Sequence, residues 1–153
     1  MALYLVQHGK SLPKEVDPDQ GLSKEGISEV KRIADLAKQH SVKVSRIQHS
    51  GKTRARHTAE IFAEALGSGK SISERSGINP LDDVTTIAAS LKAAENLMLV
   101  GHLPFMERLT SYLLTGSIEP LIFKFQNAGI LCLDQDPNTF RWFIKWALMP
   151  NME

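Results

Sequence analysis

Short runs that are apolar at every position alternate along this chain with longer stretches in which apolar residues recur every three or four positions. Leu3 to Val6 is such a run, and it stops at Gln7-His8-Gly9. A segment apolar on both faces reads as a central strand of a parallel sheet. Residues 11 to 21 contain Pro13, Pro18 and Gly21 and read as a loop. Ser23 can cap a helix with Glu25 in its first turn. Ile27, Val30, Ile33, Ala34 and Ala37 then follow helical spacing as far as His40 and Ser41. A second strand is expected over Val42 to Gln48. A second helix follows Ser50, with Thr58, Ile61, Phe62, Ala65 and Leu66 on one face.

Gly67 to Pro80 reads as a polar connection, after which Asp82 or Asp83 can cap a third helix from Val84 to about Ala94. Leu97 to Val100 is the third apolar run and stops at Gly101-His102. Pro104 suits the first turn of a fourth helix reaching about Thr115. Gly129 to Leu133 and Phe140 to Trp146 flank the turn Asp134-Gln135-Asp136-Pro137-Asn138 and read as a strand pair. Strands alternating with helices predict an α/β architecture: a three-layer, mostly parallel sheet with helices on both faces and a C-terminal strand pair. In such sheets ligands bind beyond the carboxyl ends of the strands.

That rule singles out three positions. His8 follows the first strand, Arg54 the second and His102 the third, and each histidine adjoins a glycine, Gly9 or Gly101, which lets the backbone come close to a bound group. Composition bounds what this edge can do. The 153 residues fit one domain, 42% of them are hydrophobic, and 18 basic residues stand against 17 acidic ones for a net charge of +1. That balance argues against nucleic acid or an anionic membrane as a partner, so any anion chemistry must come from a few placed cations. The single cysteine, Cys132, excludes an internal disulfide and suits a reducing compartment. With no basic leader, cleavage site or long apolar stretch, a cytoplasmic location is expected.

Three segments together resemble the histidine phosphatase superfamily, and their order and spacing resemble its SixA-type branch. "LYLVQHG" is similar to the first signature; "SGKTRARHTA" is similar to the second, with Ser50, Arg54, Ala55, Thr58 and Ala59 in place; "LVGHLP" is similar to the third. The resemblance spans nearly the whole chain and implies a phosphoglycerate-mutase-like fold. It implies that His8 attacks phosphorus and becomes a phosphohistidine that water hydrolyses, a covalent path. Arg54 would hold phosphoryl oxygens through its planar fork of donors, and His102 would stabilise charge on the same oxygens. The implied substrate is a phosphorylated protein carrying phosphohistidine, such as a histidine-phosphotransfer domain, and no cofactor or metal is implied.

The chain departs from the first signature at Gln7, where the family has arginine. Gln7 can still donate a hydrogen bond to phosphate but brings no charge. Lys52, two residues before Arg54, is the candidate that restores it; Lys10 is a second, more simply read as a solvated lysine. Larger members take their general acid from an insertion this chain lacks, which leaves Asp82 and Asp83 as candidates, with helix capping as their alternative role. Among the other histidines, His49 ends the second strand, and His40 and His57 read as surface positions.

Other chemistries fit less well. Gly51-Lys52-Thr53 lacks the first glycine of a phosphate-binding loop, because Arg46 stands there, and Gly69-Lys70-Ser71 fails likewise at Glu64. Cys132 lacks an arginine six residues on and reads as core. Three strand-end histidines could instead hold a metal in a hydrolase, but no pair has the close helical spacing of a zinc site. Two alternatives remain beside the phosphohistidine phosphatase: a non-catalytic module that binds phosphate groups or phosphoproteins, marked by Gln7, and a general small phosphomonoesterase.

Overall fold

The structure, a computed structural model, describes residues 1–67 and 71–152. Most of the Gly69-Lys70-Ser71 triplet and part of the 67–80 connection lie outside these residues. Six strands form one sheet: β1 (Leu3–Gln7), β2 (Arg46–His49), β3 (Ile72–Glu74), β4 (Leu97–Gly101), β5 (Ile130–Gln135) and β6 (Trp142–Leu148), in spatial order β3-β2-β4-β1-β5-β6. The β3, β2, β4 and β1 neighbours pair in parallel. The C-terminal pair is antiparallel, β5 against β1 and β6 against β5.

The uniform apolarity of β1 and β4 has the expected cause, because both of their faces are covered. Tyr4, Val6, Met98 and Val100 pack with α1 (Lys24–Gln39) and α2 (Thr53–Leu66), while Leu3, Leu5, Leu97 and Leu99 pack with α3 (Val84–Ala88) and α4 (Phe105–Thr115). Ser23 caps α1 by accepting the Gly26 N–H at 3.0 Å, and Val30, Ile33, Ala34 and Ala37 form its buried face.

Several elements differ from the sequence expectation, the main ones for identifiable reasons. β2 begins at Arg46 rather than Val42 because Val42 closes the end of α1 through Ala37 O, and Lys43 gives its carbonyl to the Tyr4 hydroxyl. β3 was not expected. It is a three-residue edge strand with two exposed positions, too short to show an alternation. α3 stops at Ala88, where the Ser90 hydroxyl turns back on Ile87 O, and Ala93–Glu95 forms a separate 3₁₀ turn. β6 starts at Trp142, because Asp136 accepts the Asn138 and Thr139 N–H groups and Phe140 takes a positive φ of 58°, lengthening the turn. Cys132 lies buried in β5 opposite Tyr4, and burial pushes its thiol up to about 11. No helix among the described residues is long and apolar enough to cross a membrane.

Candidate active site

β1, β2 and β4 end side by side, so the topology brings the residues that follow them to one edge. Gln7 is in register with Gly101, and the His8 N–H extends that ladder to Gly101 O at 3.0 Å. The His8 and His102 rings consequently stand 5.0 Å apart, centroid to centroid, tilted by 55°.

The His8 ring is oriented by its own backbone: Nδ1 lies 2.7 Å from Gly9 O. A carbonyl only accepts, so Nδ1 carries the proton and Nε2 is left with the lone pair. The His8 pKa is lowered to about 4: burial is the main cause, the Gly9 bond opposes it, and the nearby Arg54 charge adds to it. His102 is 2% exposed and is lowered to about 3, first by burial, then by His8, Arg54 and Lys52. Both rings are therefore uncharged at neutral pH. Two neutral imidazoles beside a guanidinium form a site that supplies donors and a nucleophilic lone pair.

The cations come from the start of α2. Lys52 occupies its N-cap without a side-chain capping bond, and the first turn holds no acidic residue. Among the described residues no acceptor meets the Thr53 or Arg54 N–H, and neither Lys52 nor Arg54 makes a salt bridge. Cations at the positive end of a helix cost about 0.3–1 kcal/mol each. An arriving anion reverses that sign and also meets free N–H groups.

Two hydroxyls tie the pieces together. Ser50 Oγ lies 2.6 Å from His102 Nε2 and accepts the Lys52 N–H at 3.3 Å. Thr58 Oγ1 accepts the Gly9 N–H at 3.0 Å and donates to Arg54 O at 2.8 Å, joining the His8 loop to α2. The loop over residues 11–21 and the segment around Ile78 abut this edge. A Cβ on Gly21 would sit 3.8 Å from the Thr53 methyl, and one on Gly101 would sit 3.9 Å from Ile78 O.

Other expected residues have different surroundings. A Cβ on Gly9 would come within 2.6 Å of Val30 and one on Gly101 within 2.8 Å of Met106, so these glycines make room for α1 and α4 rather than for a bound group. Among the described residues Gln7 buries its carboxamide oxygen without a partner. Lys10 pairs with Glu25 at 2.8 Å on the surface. Asp83 caps α3 through the Thr85 N–H and hydroxyl, bonds that hold its carboxyl below its usual value, and Asp82 accepts the Asn79 N–H at 2.8 Å. Both aspartates line a cleft with Arg75 and Ser90. His49 is buried and accepts the Gly51 N–H, which shapes the turn carrying Ser50 and Lys52. Among the described residues no group of three or more His, Cys, Asp or Glu could hold a metal ion.

Sequence reasoning missed Asn127, whose side-chain amide donates to His8 O at 3.0 Å. Its signal was weak: an Asn-Ala-Gly turn before the last strand pair.

Taken together, a doubly covered, mostly parallel sheet carries at its carboxyl edge two uncharged histidines and a guanidinium that is unpaired among the described residues, which defines an α/β protein with anion-compatible chemistry at one edge. The sequence profile of the histidine phosphatase superfamily (branch 1) matches residues 3–80, and the chain belongs to this superfamily. It is 25% identical over 148 residues to phosphohistidine phosphatase SixA of Escherichia coli, covering 93% of this chain and 92% of that one. A solved putative phosphohistidine phosphatase SixA from Agrobacterium tumefaciens is 30% identical, with a TM-score of 0.76 and 97% of each chain covered. The structure of SixA complexed with tungstate superposes with a TM-score of 0.83 at 24% identity, over 98% of this chain and 97% of that one. The fold is thus phosphoglycerate-mutase-like and the likeness SixA-like.

Proposed function

We propose that this protein is a metal-independent phosphohistidine phosphatase acting on phosphorylated proteins in the cytoplasm, with His8 as the nucleophile. The observation that carries the reading is the pair of uncharged histidines, 5.0 Å apart, beside unpaired Arg54. His8 Nε2 attacks phosphorus, a P–Nε2 bond forms, and the P–N bond of the substrate breaks. Arg54 takes phosphoryl oxygens with its forked donors. His102 donates to the same oxygens, Lys52 supplies the charge that Gln7 lacks, and the Gln7 amide contributes a neutral donor. Water then attacks the phosphorylated His8 and releases inorganic phosphate, restoring the lone pair. Catalysis here is positioning and electrostatics.

The acid question favours a phosphoramidate. Asp82 and Asp83 already serve as acceptors for backbone N–H groups, poor posts for a proton donor. A phosphohistidine whose ring carries a proton leaves as neutral imidazole and needs no enzymic acid, whereas an alkyl phosphate does. SixA, captured with tungstate, is a relative that holds a tetrahedral oxyanion, and the chemistry carried over here is the same. A histidine-phosphotransfer domain is the kind of phosphoprotein that presents such a group.

A turnover panel tests the reading. Phosphohistidine protein and free phosphoramidates should be hydrolysed at least a hundredfold faster than sugar phosphates, with chelators having no effect. Faster turnover of sugar phosphates would replace this reading with a general phosphomonoesterase. Phosphate binding without any turnover would replace it with a binding module.

A further inference from the structure

The nucleophile's peptide is held by a residue outside all three signatures. β5 stops pairing with β1 at Val6↔Ile130, so no strand neighbour continues alongside Gln7 and His8 on that side. A turn over residues 126–129 takes its place, closed by Gly129 N–H to Gln126 O at 3.0 Å. Ala128, fully buried, sits in this turn at φ 69°, a region that costs a non-glycine residue about 1 kcal/mol or more. The strained turn aims two donors at β1. Ala128 N–H reaches Gln7 O at 2.9 Å and His8 O at 3.3 Å, and Asn127 Nδ2 reaches His8 O at 3.0 Å. The turn is braced by Gln126, which exchanges two 2.9 Å bonds with the backbone of Asn151.

We infer that Asn127 is a positioning residue for the phosphoryl-accepting histidine: it clamps the His8–Gly9 peptide from the carbonyl side while Thr58 clamps its N–H. The inference rests on the proposed role of His8 as nucleophile. The His8 ring hangs from one end of the 8–9 peptide and leans through Nδ1 on Gly9 O, just beyond its other end, so the direction of the Nε2 lone pair follows from how firmly that peptide is held. Without Asn127, His8 O keeps only the long bond shared with Ala128, and the peptide can rock. A misplacement of about 1 Å at a reacting atom costs on the order of a hundredfold in rate.

Asn127→Ala and Asn127→Asp test this by single-turnover formation of phosphorylated His8 from a small phosphoramidate, by inhibition with inorganic phosphate, and by ¹⁵N NMR of the His8 ring. Both variants should form the phosphoenzyme 10- to 100-fold more slowly, and in Asn127→Ala phosphate inhibition should stay within threefold, because Arg54 stands on another element. The His8 ring should lose its single Nδ1–H tautomer. Asn127→Asp should also move the acid limb of the reaction upward, since it places a negative charge beside His8. A purely structural role would alter thermal stability and leave the tautomer in place. Should Asn127→Ala fail to fold, the isosteric Asn127→Asp decides the matter. Folded variants that label His8 within twofold of the wild-type rate, with an unchanged ring spectrum, overturn this inference alone. A wild-type protein that never labels His8 overturns the reading beneath it as well.

Discussion

Acidification provides a quantitative handle on the site, because protonating His8 removes the lone pair that must attack. In the folded protein its pKa is lowered to about 4, first by burial and then by Arg54. An ordinary histidine titrates near 6.5, so at pH 5.5 only about 9% of it would be neutral, against about 97% for a group at 4. The acid limb of kcat/KM, which reports the free enzyme, should therefore stay flat down to about pH 5 and fall only below it. His102, lowered to about 3, ionises in the same low range and couples to His8 across 5.0 Å, so the limb reports the pair. The assay is hydrolysis of a small phosphoramidate between pH 4 and 8, with a His8→Ala sample subtracting the uncatalysed rate. A half-maximal point near 6.5, with a tenfold loss at pH 5.5, would refute the burial argument.

Stability should follow the same two groups. Both histidines are lowered in the folded state, so the unfolded chain binds more protons between about pH 4 and 6.5. Stability fully present above 6.5 should be lost at on the order of 1–2 kcal/mol per pH unit as pH falls through that window. Urea midpoints at pH 7 and 5 should differ in wild type and converge in the His8→Asn, His102→Asn double variant. Lys52→Ala should weaken inhibition by inorganic phosphate about five- to thirtyfold, the equivalent of roughly 1–2 kcal/mol for a partly exposed charged donor, and adding Gln7→Arg should restore it; unchanged inhibition would show that Lys52 does not replace the missing arginine. Gly9→Ala should cost about 1–3 kcal/mol by overpacking against Val30, read as a fall in Tm together with lost turnover.

The sequence carried the centre of this protein more clearly than its margins. Leu3 to Val6 and Leu97 to Val100 betray buried parallel strands because both faces are covered, and His8 and His102 then mark the carboxyl edge, where sheets of this kind commonly bind ligands. The Ser23 cap and the Ile27 to Ala37 spacing placed α1, since both signals are local. What stayed hidden depends either on partners distant in the chain or on side chains that bend the backbone locally against the apolar pattern. Ile72 to Glu74 becomes a strand only because β2 lies beside it. The shortened α3 reflects Ser90 turning back on Ile87, and the shift of β6 follows from the turn built by Asp136. Asn127 lies 119 positions from the carbonyl it serves, a separation at which no spacing rule operates. The glycines beside the histidines were legible as close approaches, but what approaches is α1 and Met106.

Rapid acid-free quenching of the protein mixed with a ³²P-labelled phosphohistidine protein, followed by peptide mapping, tests the central claim most directly. The account predicts one acid-labile, base-stable label on His8, absent from His8→Ala and formed far more slowly in Arg54→Ala. Steady turnover with no label on His8, or equal labelling in the Arg54→Ala protein, would contradict it.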